Sequence, residues 1–359
     1  MSVSFTDCRA DLLPPLRAFL ARVYRPDYIL CRDEELFSWQ FGEAADGGSS
    51  AFRLKLARLG DEIVGCLGYI PVEVSLGGRI MRGAWVVNWM VDPLRRRLGL
   101  GPLLMREVTS RFDVALNVGP NRDARDLLGR MGWTDFGELV RHVCVLDVRA
   151  AGALTRTGEL RWPLEAAPQP GGELPQGTTV ESVRRFGDDA TRLWDEVWGQ
   201  RAAGTRRSAE FLNRRYAEHP HFNYRLFELR RRGRLAGLAV YRVEDVQGAS
   251  ARVGRIVELV SEPEAARCLL RAVLADALSR GVAALDFFCS SGRLSALLTR
   301  EGFLPGEDEA AAQLPILFQP IDWRRQGISF MAYLRNTPGA DGLRDWYVTK
   351  GDGDQDRPN

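Results

Sequence analysis

The segment that most constrains the fold begins with an apolar stretch at residues 84–91 and continues through a basic turn with two glycines. The apolar stretch predicts a buried strand, which must end at Pro93 because proline cannot donate a ladder hydrogen bond. Pro102 suits the first turn of a helix, where a missing N–H costs nothing. Gly99 and Gly101 would let loop N–H groups converge at the helix N-terminus, which favours a bound phosphate. The sequence therefore predicts a strand, an anion-binding loop and a helix.

The spacing of this loop differs from two other phosphate-binding signatures. A Walker loop needs Gly-Lys-Ser/Thr and the dinucleotide fingerprint needs a third glycine, and the loop has neither. Arg96-x-x-Gly99-x-Gly101 instead resembles the Gln/Arg-x-x-Gly-x-Gly/Ala signature of the GNAT (GCN5-related N-acetyltransferase) superfamily. The resemblance implies that loop amides hold the pyrophosphate of acetyl-coenzyme A and that a strand N–H binds its thioester carbonyl. The residues that it assigns to the coenzyme are Met90 or Val91 on the strand, and Arg96, Arg97, Leu98, Gly99, Leu100, Gly101 and Asn121.

The order of elements predicted for the first half is also similar to the GNAT fold. Two helices precede an antiparallel hairpin that turns at residues 60–62, and the strand, loop and helix already described come next. A doubly wound sheet would alternate strand and helix throughout, which this half does not. The expected elements are helices at 11–24 and 34–41, strands at 52–59, 63–74 and 84–91, a helix at 102–112, a strand at 114–118, a helix at 122–131 and a closing strand at 140–148.

The second half repeats the first when the chain is laid over itself so that Pro93 falls on Pro263. At the same offset, and without a gap, residues 132–133 (Gly-Trp) fall on residues 302–303 (Gly-Phe). The coincidence of a strand end, a proline, a helix and a terminal Gly-aromatic pair indicates a duplicated fold. A tandem GNAT arrangement is therefore expected.

The second copy of the loop has lost its glycines, because Gly99 and Gly101 fall on Leu269 and Arg271. We therefore expect one coenzyme site, in the first half. The expected fold class is α/β (α+β), with two GNAT-like domains that each contain a mixed, mostly antiparallel sheet flanked by helices. The predicted division is a GNAT domain at 1–150 that binds acetyl-CoA, a Pro/Gly-rich linker at 151–178, a degenerate GNAT-like domain at 179–320 and a C-terminal extension at 321–359.

Acyl transfer to an amine also needs an unprotonated amine and a proton for the leaving thiolate. In many GNAT relatives a tyrosine supplies that proton, and its position is occupied here by Leu128. Asn121 matches a family asparagine and equally fits a helix N-cap. Three candidates for the general base stay open: Glu73, Asp92 and His142.

Two regions are candidates for contact with the acceptor. Asn88 and Trp89 lie just before the loop. The C-terminal segment carries alternating carboxylates that lack the glycine and glutamate of a calcium loop. It is interpreted either as a solvated tail or as a segment anchored by the aromatic pair at 346–347, whose carboxylates would bind a cationic amine or sugar hydroxyls. These carboxylates are Asp352, Asp354 and Asp356.

Composition limits the partners. A formal charge of +2 over 359 residues provides no general electrostatic attraction for nucleic acid or membranes. The six cysteines share no Cys-x-x-Cys spacing and there are only three histidines, so no metal site is expected. The N-terminus lacks a leader-like pattern and no long apolar run occurs, which predicts a cytoplasmic protein without membrane insertion.

These observations predict an acyl-CoA-dependent N-acyltransferase that acts on a small-molecule amine. An amino sugar of bacterial surface polysaccharide synthesis is the first candidate, because the C-terminal segment is similar to the endings of GNAT-like proteins associated with such polysaccharides. A Fem-like enzyme that takes an aminoacyl group from tRNA is an alternative, although it would not need the glycine loop. A non-catalytic coenzyme-binding or scaffold protein is another, favoured by the missing tyrosine and the altered second loop.

Overall fold

The computed structural model describes residues 2–42, 51–318, 321–323, 327–335 and 342–358. Within these residues the strands form two large sheets and one small hairpin, with helices packed on the faces of the sheets. The architecture is the mixed, mostly antiparallel α/β arrangement that the sequence predicts.

All the helices and strands predicted for residues 11–131 are present, with ends that differ by a few residues. One further strand precedes them and one follows them. In chain order the elements are β1 (Val3–Arg9), α1 (Leu13–Val23), α2 (Ile29–Arg32), α3 (Glu34–Phe41), β2 (Ala51–Leu59), β3 (Glu62–Leu76), β4 (Arg79–Val91), α4 (Leu100–Thr109), β5 (Val114–Val118), α5 (Arg122–Arg130), β6 (Thr134–Glu138) and β7 (Val140–Val145).

The remainder of the chain begins with the Pro/Gly-rich stretch, whose regular structure is limited to the end of a short helix and a 3₁₀ turn at Leu164–Ala166. Within the described ranges, every helix is too short or too polar to cross a lipid bilayer. The elements are α6 (Val148–Gly152), β8 (Thr178–Val183), α7 (Asp189–Trp194), β9 (Gly204–Thr205), α8 (Ala209–Leu212), β10 (Arg225–Arg231), β11 (Arg234–Asp245), β12 (Arg252–Ser261), α9 (Pro263–Ser279), β13 (Val282–Cys289), α10 (Gly292–Arg300), β14 (Leu304–Pro305), β15 (Leu317–Phe318), β16 (Ile321–Asp322) and β17 (Ser329–Leu334).

The two large sheets have closely related topologies. The first has the strand order β1-β2-β3-β4-β5-β17-β6, with β9 paired to β3, and the second has the order β14-β7-β13-β12-β11-β10-β8. Within the described residues, the parallel neighbours are β4 with β5 and β12 with β13, and the other pairs are antiparallel. The central parallel pair in each sheet follows a long antiparallel hairpin, β3–β4 in the first and β11–β12 in the second.

Each sheet contains at least one strand from the other part of the chain, and the first sheet contains the short β9 as well as β17. β7 pairs with β13 in the second sheet, and β17 pairs with β5 and β6 in the first. The prediction that the strand at 140–148 closes the first half is therefore wrong, although a strand is present there. Its residues 143–145 are buried apolar residues that suit the interior of either sheet. Local sequence therefore did not distinguish the two possible partners.

Elements at the offset that relates the two halves correspond closely. α5 and α10 occupy equivalent positions and are each nine residues long. The glycines that follow them, Gly132 and Gly302, have φ angles of +84° and +85°. The main difference lies after the central strand, where α9 begins directly at Pro263 while a separate turn precedes α4.

Candidate active site

A wedge opens between β4 and β5 of the first sheet. The two strands pair only where Gly83–Trp85 lies beside Val114–Leu116, and both continue beyond these pairs. The Asn117 Nδ2 atom donates a hydrogen bond to the Val86 carbonyl at 2.8 Å and closes the base of the wedge. The backbone of β4 beyond this point is not paired with β5.

The register of β4 determines which backbone groups face the wedge. Asp92 donates its backbone N–H to the Val64 carbonyl of β3 at 2.9 Å, and Met90 pairs with Cys66 in the same register. Hydrogen-bonded and non-hydrogen-bonded pairs alternate along an antiparallel ladder. The Met90 N–H therefore points towards β3, whereas the Val91 N–H points away from β3 and into the wedge.

The loop after β4 combines a tight turn with an exposed helix start. Residues 93–98 form a 3₁₀ turn, and Gly99 follows with a φ of +68°. A Cβ at Gly99 would meet no atom within 4 Å, so glycine is needed for the left-handed backbone while the space beside it is free. α4 then starts at Leu100 without a side-chain cap. Its first-turn N–H groups are therefore available to an external acceptor next to a run of exposed arginines.

Trp89 holds the start of α4 against β4. Its Nε1 atom donates to the Gly101 carbonyl at 3.2 Å, and a Cβ at Gly101 would lie 3.2 Å from the indole ring. Gly101 therefore permits a close approach between the helix and the ring. The structure places Trp89, a predicted acceptor contact, in a positioning role beneath the loop.

Asn88 occupies the irregular point of β4, where the register with β3 shifts. Its φ is +51°, in the left-handed region that non-glycine residues rarely adopt and that asparagine tolerates best. Its Oδ1 atom accepts a hydrogen bond from the Tyr28 hydroxyl at 2.9 Å. Tyr28 has no distinctive sequence signal, because a tyrosine shortly after a helix is common.

Among the three candidates for the general base, Asp92 is the one beside the loop. One carboxylate oxygen accepts the Leu94 N–H at 2.9 Å, and the other contacts the Arg22 guanidinium. The hydrogen bond from Arg22, supported by the Leu94 N–H, holds the pKa of Asp92 below its usual value. Asp92 therefore acts as an anionic cap for the 3₁₀ turn, and its lowered pKa makes it a weak base.

Glu73 and His142 lie away from the wedge. Glu73 is paired with Arg82 on the β3–β4 ladder, about 30 Å along the strand from Val91, and its carboxylate binds Arg206 at 3.0 Å. His142 lies on β7 in the second sheet and is 1% exposed. Burial lowers the pKa of His142 to about 4, which keeps the imidazole neutral near pH 7.

Asn121 caps the start of α5, and Leu128 lies within this helix. The Asn121 Oδ1 atom accepts the Ala124 N–H at 2.9 Å, which confirms the predicted N-cap. Its contact with a coenzyme stays a prediction. Leu128 is fully buried in the apolar cluster between α4, α5 and the first sheet, so it has no role in proton transfer.

The corresponding wedge of the second sheet is filled by the C-terminal segment, residues 346–358. β12 and β13 pair only over their first residues, and residues 346–351 lie between the continuing ends. The Thr349 hydroxyl donates to the Val257 carbonyl at 2.7 Å, and the Leu259 N–H donates to the Tyr347 hydroxyl at 3.1 Å. The second half therefore has neither an open loop nor an open wedge.

The C-terminal segment is buried, so the interpretation as a solvated tail is wrong, and the predicted anchoring by Trp346 and Tyr347 is confirmed. Its carboxylates are each paired with an arginine. The pairs are Asp352 with Arg207 (2.6 Å), Asp354 with Arg357, and Asp356 with Arg242 (2.8 Å). Neutralised carboxylates do not offer the site for a cationic amine that the sequence suggested. In the part of the chain that the structure describes, no three His, Cys, Asp or Glu side chains are grouped so that they could hold a metal ion.

Lys350 lies among these ion pairs and provides a pH-dependent test of the buried network. Burial lowers the pKa of Lys350 from 10.5 to about 7. Between these values the unfolded chain binds one proton more than the folded protein, so stability rises with pH. We expect the wild type to gain about 1 kcal/mol per pH unit relative to Lys350→Met from pH 7 to 9. Urea unfolding at pH 7, 8 and 9 measures this difference, and a constant difference would contradict the prediction.

Known proteins resemble this chain in sequence over one segment and in fold over most of its length. Residues 43–116 match the acetyltransferase (GNAT) domain. A GCN5-related N-acetyltransferase from Anabaena variabilis superposes with a TM-score of 0.60 and 13% identity, over 93% of this chain and 73% of that one. A GCN5-related N-acetyltransferase from Kribbella flavida superposes with a TM-score of 0.56 and 17% identity, over 94% of this chain and 73% of that one. No curated protein sequence is significantly similar.

The N-myristoyltransferase of Saccharomyces cerevisiae, solved with bound myristoyl-CoA, superposes with a TM-score of 0.56 and 12% identity, over 96% of this chain and 88% of that one. At such identities the likeness establishes the fold alone. The sequence match covers β4, the loop and α4, which are the elements that form the wedge and the open helix start. Residues 43–116 of this chain therefore match a GNAT acetyltransferase domain, and the chain has the fold of the GNAT N-acetyltransferases.

Proposed function

We propose that this protein is an acyl-CoA-dependent N-acyltransferase that transfers an acetyl group to a small amine. The observation that carries the proposal is that β4 and β5 separate beyond Trp85 and Leu116 beside an uncapped helix start. The wedge offers the Val91 N–H to a thioester carbonyl, and the loop at Gly99 offers N–H groups to a pyrophosphate. A single extended ligand with a thioester at one end and a pyrophosphate near the other would use both features.

The proposed reaction needs positioning and polarisation from the chain. The Val91 N–H would donate to the carbonyl oxygen as negative charge develops on it. The first-turn N–H groups of α4, with Arg96 and Arg97, would hold the pyrophosphate. The amine nitrogen then bonds to the carbonyl carbon, the carbon–sulfur bond breaks, and the proton lost by the amine passes to the thiolate. The products are an amide and free coenzyme A.

The amine would react in its uncharged form. It would lose its proton to solvent before it binds, so no residue of the chain would need to remove that proton. This follows from the position of the predicted bases, because Asp92 is held as an anion by Arg22 and the other two candidates lie away from the wedge. An amino sugar, including one of bacterial surface polysaccharide synthesis, is the first acceptor class to be tested, because its amine titrates near neutral pH.

Calorimetric titration of acetyl-CoA tests the proposal. We expect one site per chain in the wild type and at least about a hundredfold weaker binding in Gly99→Asp, which places a carboxylate where the pyrophosphate would lie. Gly233→Asp is the matched control. Gly233 also has a positive φ, +81°, and also has open space around its Cβ position, but lies in the β10–β11 turn. Gly233→Asp should bind like the wild type.

The outcomes separate the alternatives. Absence of binding to the wild type would overturn the proposal and favour an aminoacyl-tRNA-dependent enzyme. Binding of acetyl-CoA without thiol release in the presence of amines would favour a coenzyme-binding scaffold. A parallel titration with myristoyl-CoA compares acyl lengths, since the yeast N-myristoyltransferase of the same fold holds that coenzyme.

A further inference from the structure

An acceptor would approach the wedge from the face of the first sheet opposite α4. Side chains of β4 and β5 alternate between two apolar clusters, one under α4 and α5 and the other under α1, α3 and the C-terminal segment. This inference rests on the proposed function. If the coenzyme enters beside α4, the second substrate must reach the wedge from the face bounded by the N-terminal helices and residues 346–358.

Asn88 lies on this face of β4, where it contacts Tyr28. Its backbone is held in the left-handed region, and its Nδ2 atom is buried without a hydrogen-bond partner among the described residues. A buried amide donor without a partner is unfavourable, and such groups are retained where a ligand completes them. Its Oδ1 atom already accepts from Tyr28, so the orientation of the amide is fixed with Nδ2 available.

Tyr28 connects Asn88 to two guanidinium groups. The Arg25 guanidinium carbon lies 5.7 Å from the centre of the Tyr28 ring, and that of Arg357 lies 5.8 Å from it. Arg25 also lies over the ring of Tyr24, which is 48% exposed. Tyr28 therefore links Asn88 to Arg25, whose side chain is partly exposed to solvent.

The partly exposed end of this group of residues carries the positive charge of Arg25. The Arg25 Nε atom is buried and has no hydrogen-bond partner among the described residues, and its carboxylate neighbour Asp27 is 3.7 Å away and largely exposed. Asp354 contacts Arg357, so its charge is already neutralised. A cationic amine would meet Arg25 without a free carboxylate to balance it, whereas an anionic group would gain a charge-assisted hydrogen bond.

We propose that the acceptor amine carries a carboxylate or phosphate group, which binds at Arg25 beside Tyr28 while Asn88 Nδ2 donates to the acceptor near the wedge. The predicted recognition of a cationic acceptor by the C-terminal carboxylates is thereby replaced by recognition of an anionic acceptor by an N-terminal arginine. Amino acids and phosphorylated or nucleotide-linked amino sugars share the required chemistry.

Two matched pairs of probes test the proposal and distinguish the two sources of negative charge. L-Tyrosine and tyramine differ by a carboxylate, and glucosamine 6-phosphate and glucosamine differ by a phosphate. Each probe is titrated into the protein saturated with coenzyme A, which cannot transfer an acyl group. We expect the anionic member of at least one pair to bind about tenfold tighter or more, and we expect Arg25→Gln to remove that advantage.

Arg17→Gln is the matched control, because Arg17 has a similar side-chain exposure, 30% against 34% for Arg25, and pairs with Glu34 on α3. Arg17→Gln should keep the preference for the anionic probe. Acetyl-CoA binding by Arg25→Gln, expected to equal that of the wild type, shows that this variant is folded. If neither anionic probe binds tighter than its counterpart while acetyl-CoA binds normally, the acceptor proposal is overturned and the proposed function is not.

Discussion

Replacement of Arg207 by alanine should lower the free energy of unfolding by about 3–5 kcal/mol. The guanidinium is fully buried and binds Glu258 at 3.1 Å and Asp352 at 2.6 Å, and these carboxylates are also fully buried. Without Arg207, two carboxylates would remain in the interior with no cation between them. Burial already raises the pKa of Glu258, so protonation of this group would relieve only part of the cost. Urea unfolding at pH 7 measures the loss.

The neighbouring Arg206 supplies the control. It binds Asp195 at 2.6 Å and Glu73 at 3.0 Å, and both carboxylates are partly exposed to solvent. Ion pairs at the surface contribute about 0–1 kcal/mol, so Arg206→Ala should cost less than about 1 kcal/mol. Similar losses for the two variants would refute the assignment of the large effect to the buried ion pairs.

Trp346→Ala should cost about 3–5 kcal/mol, because it removes a fully buried ring from the contact between the C-terminal segment and the first sheet. The ring centre of Trp346 lies 4.9 Å from that of Phe330 on β17 and 5.4 Å from that of Phe136 on β6. The cavity left by alanine would lie between elements that cannot close it without moving the strands. Denaturant unfolding monitored by far-UV circular dichroism measures the loss.

Trp346→Phe separates ring packing from the indole nitrogen. The Nε1 atom of Trp346 is buried and has no hydrogen-bond partner among the described residues, so phenylalanine loses no hydrogen bond there. We expect a cost of about 1–2 kcal/mol, below that of alanine, because most of the aromatic contact is kept. If phenylalanine is as destabilising as alanine, packing against Phe330 and Phe136 is not the source of the stability.

The strand, loop and helix around Gly99 were predictable because their signals act on the local backbone. Pro93 ends the ladder, Gly99 takes a positive φ, and α4 follows within one residue. The N-cap at Asn121 is of the same kind, since the side chain bonds three residues along the chain. The side-chain environments of the candidate bases were not predictable. His142 is buried because β7 lies inside the second sheet, and Asp92 is anionic because α1 brings Arg22 to it.

Local sequence patterns were sufficient to predict most helices and strands of the first half, the repeat that relates the two halves, and the loop that distinguishes them. The exchange of β7 and β17 between the sheets, and the burial and neutralisation of the C-terminal carboxylates, emerged from the folded chain alone. The physical reason is distance along the chain: Arg207 and Asp352 are 145 residues apart, and Arg242 and Asp356 are 114 residues apart. Backbone propensity and caps act within a few residues, whereas strand pairing and ion pairing depend on partners that folding alone brings together.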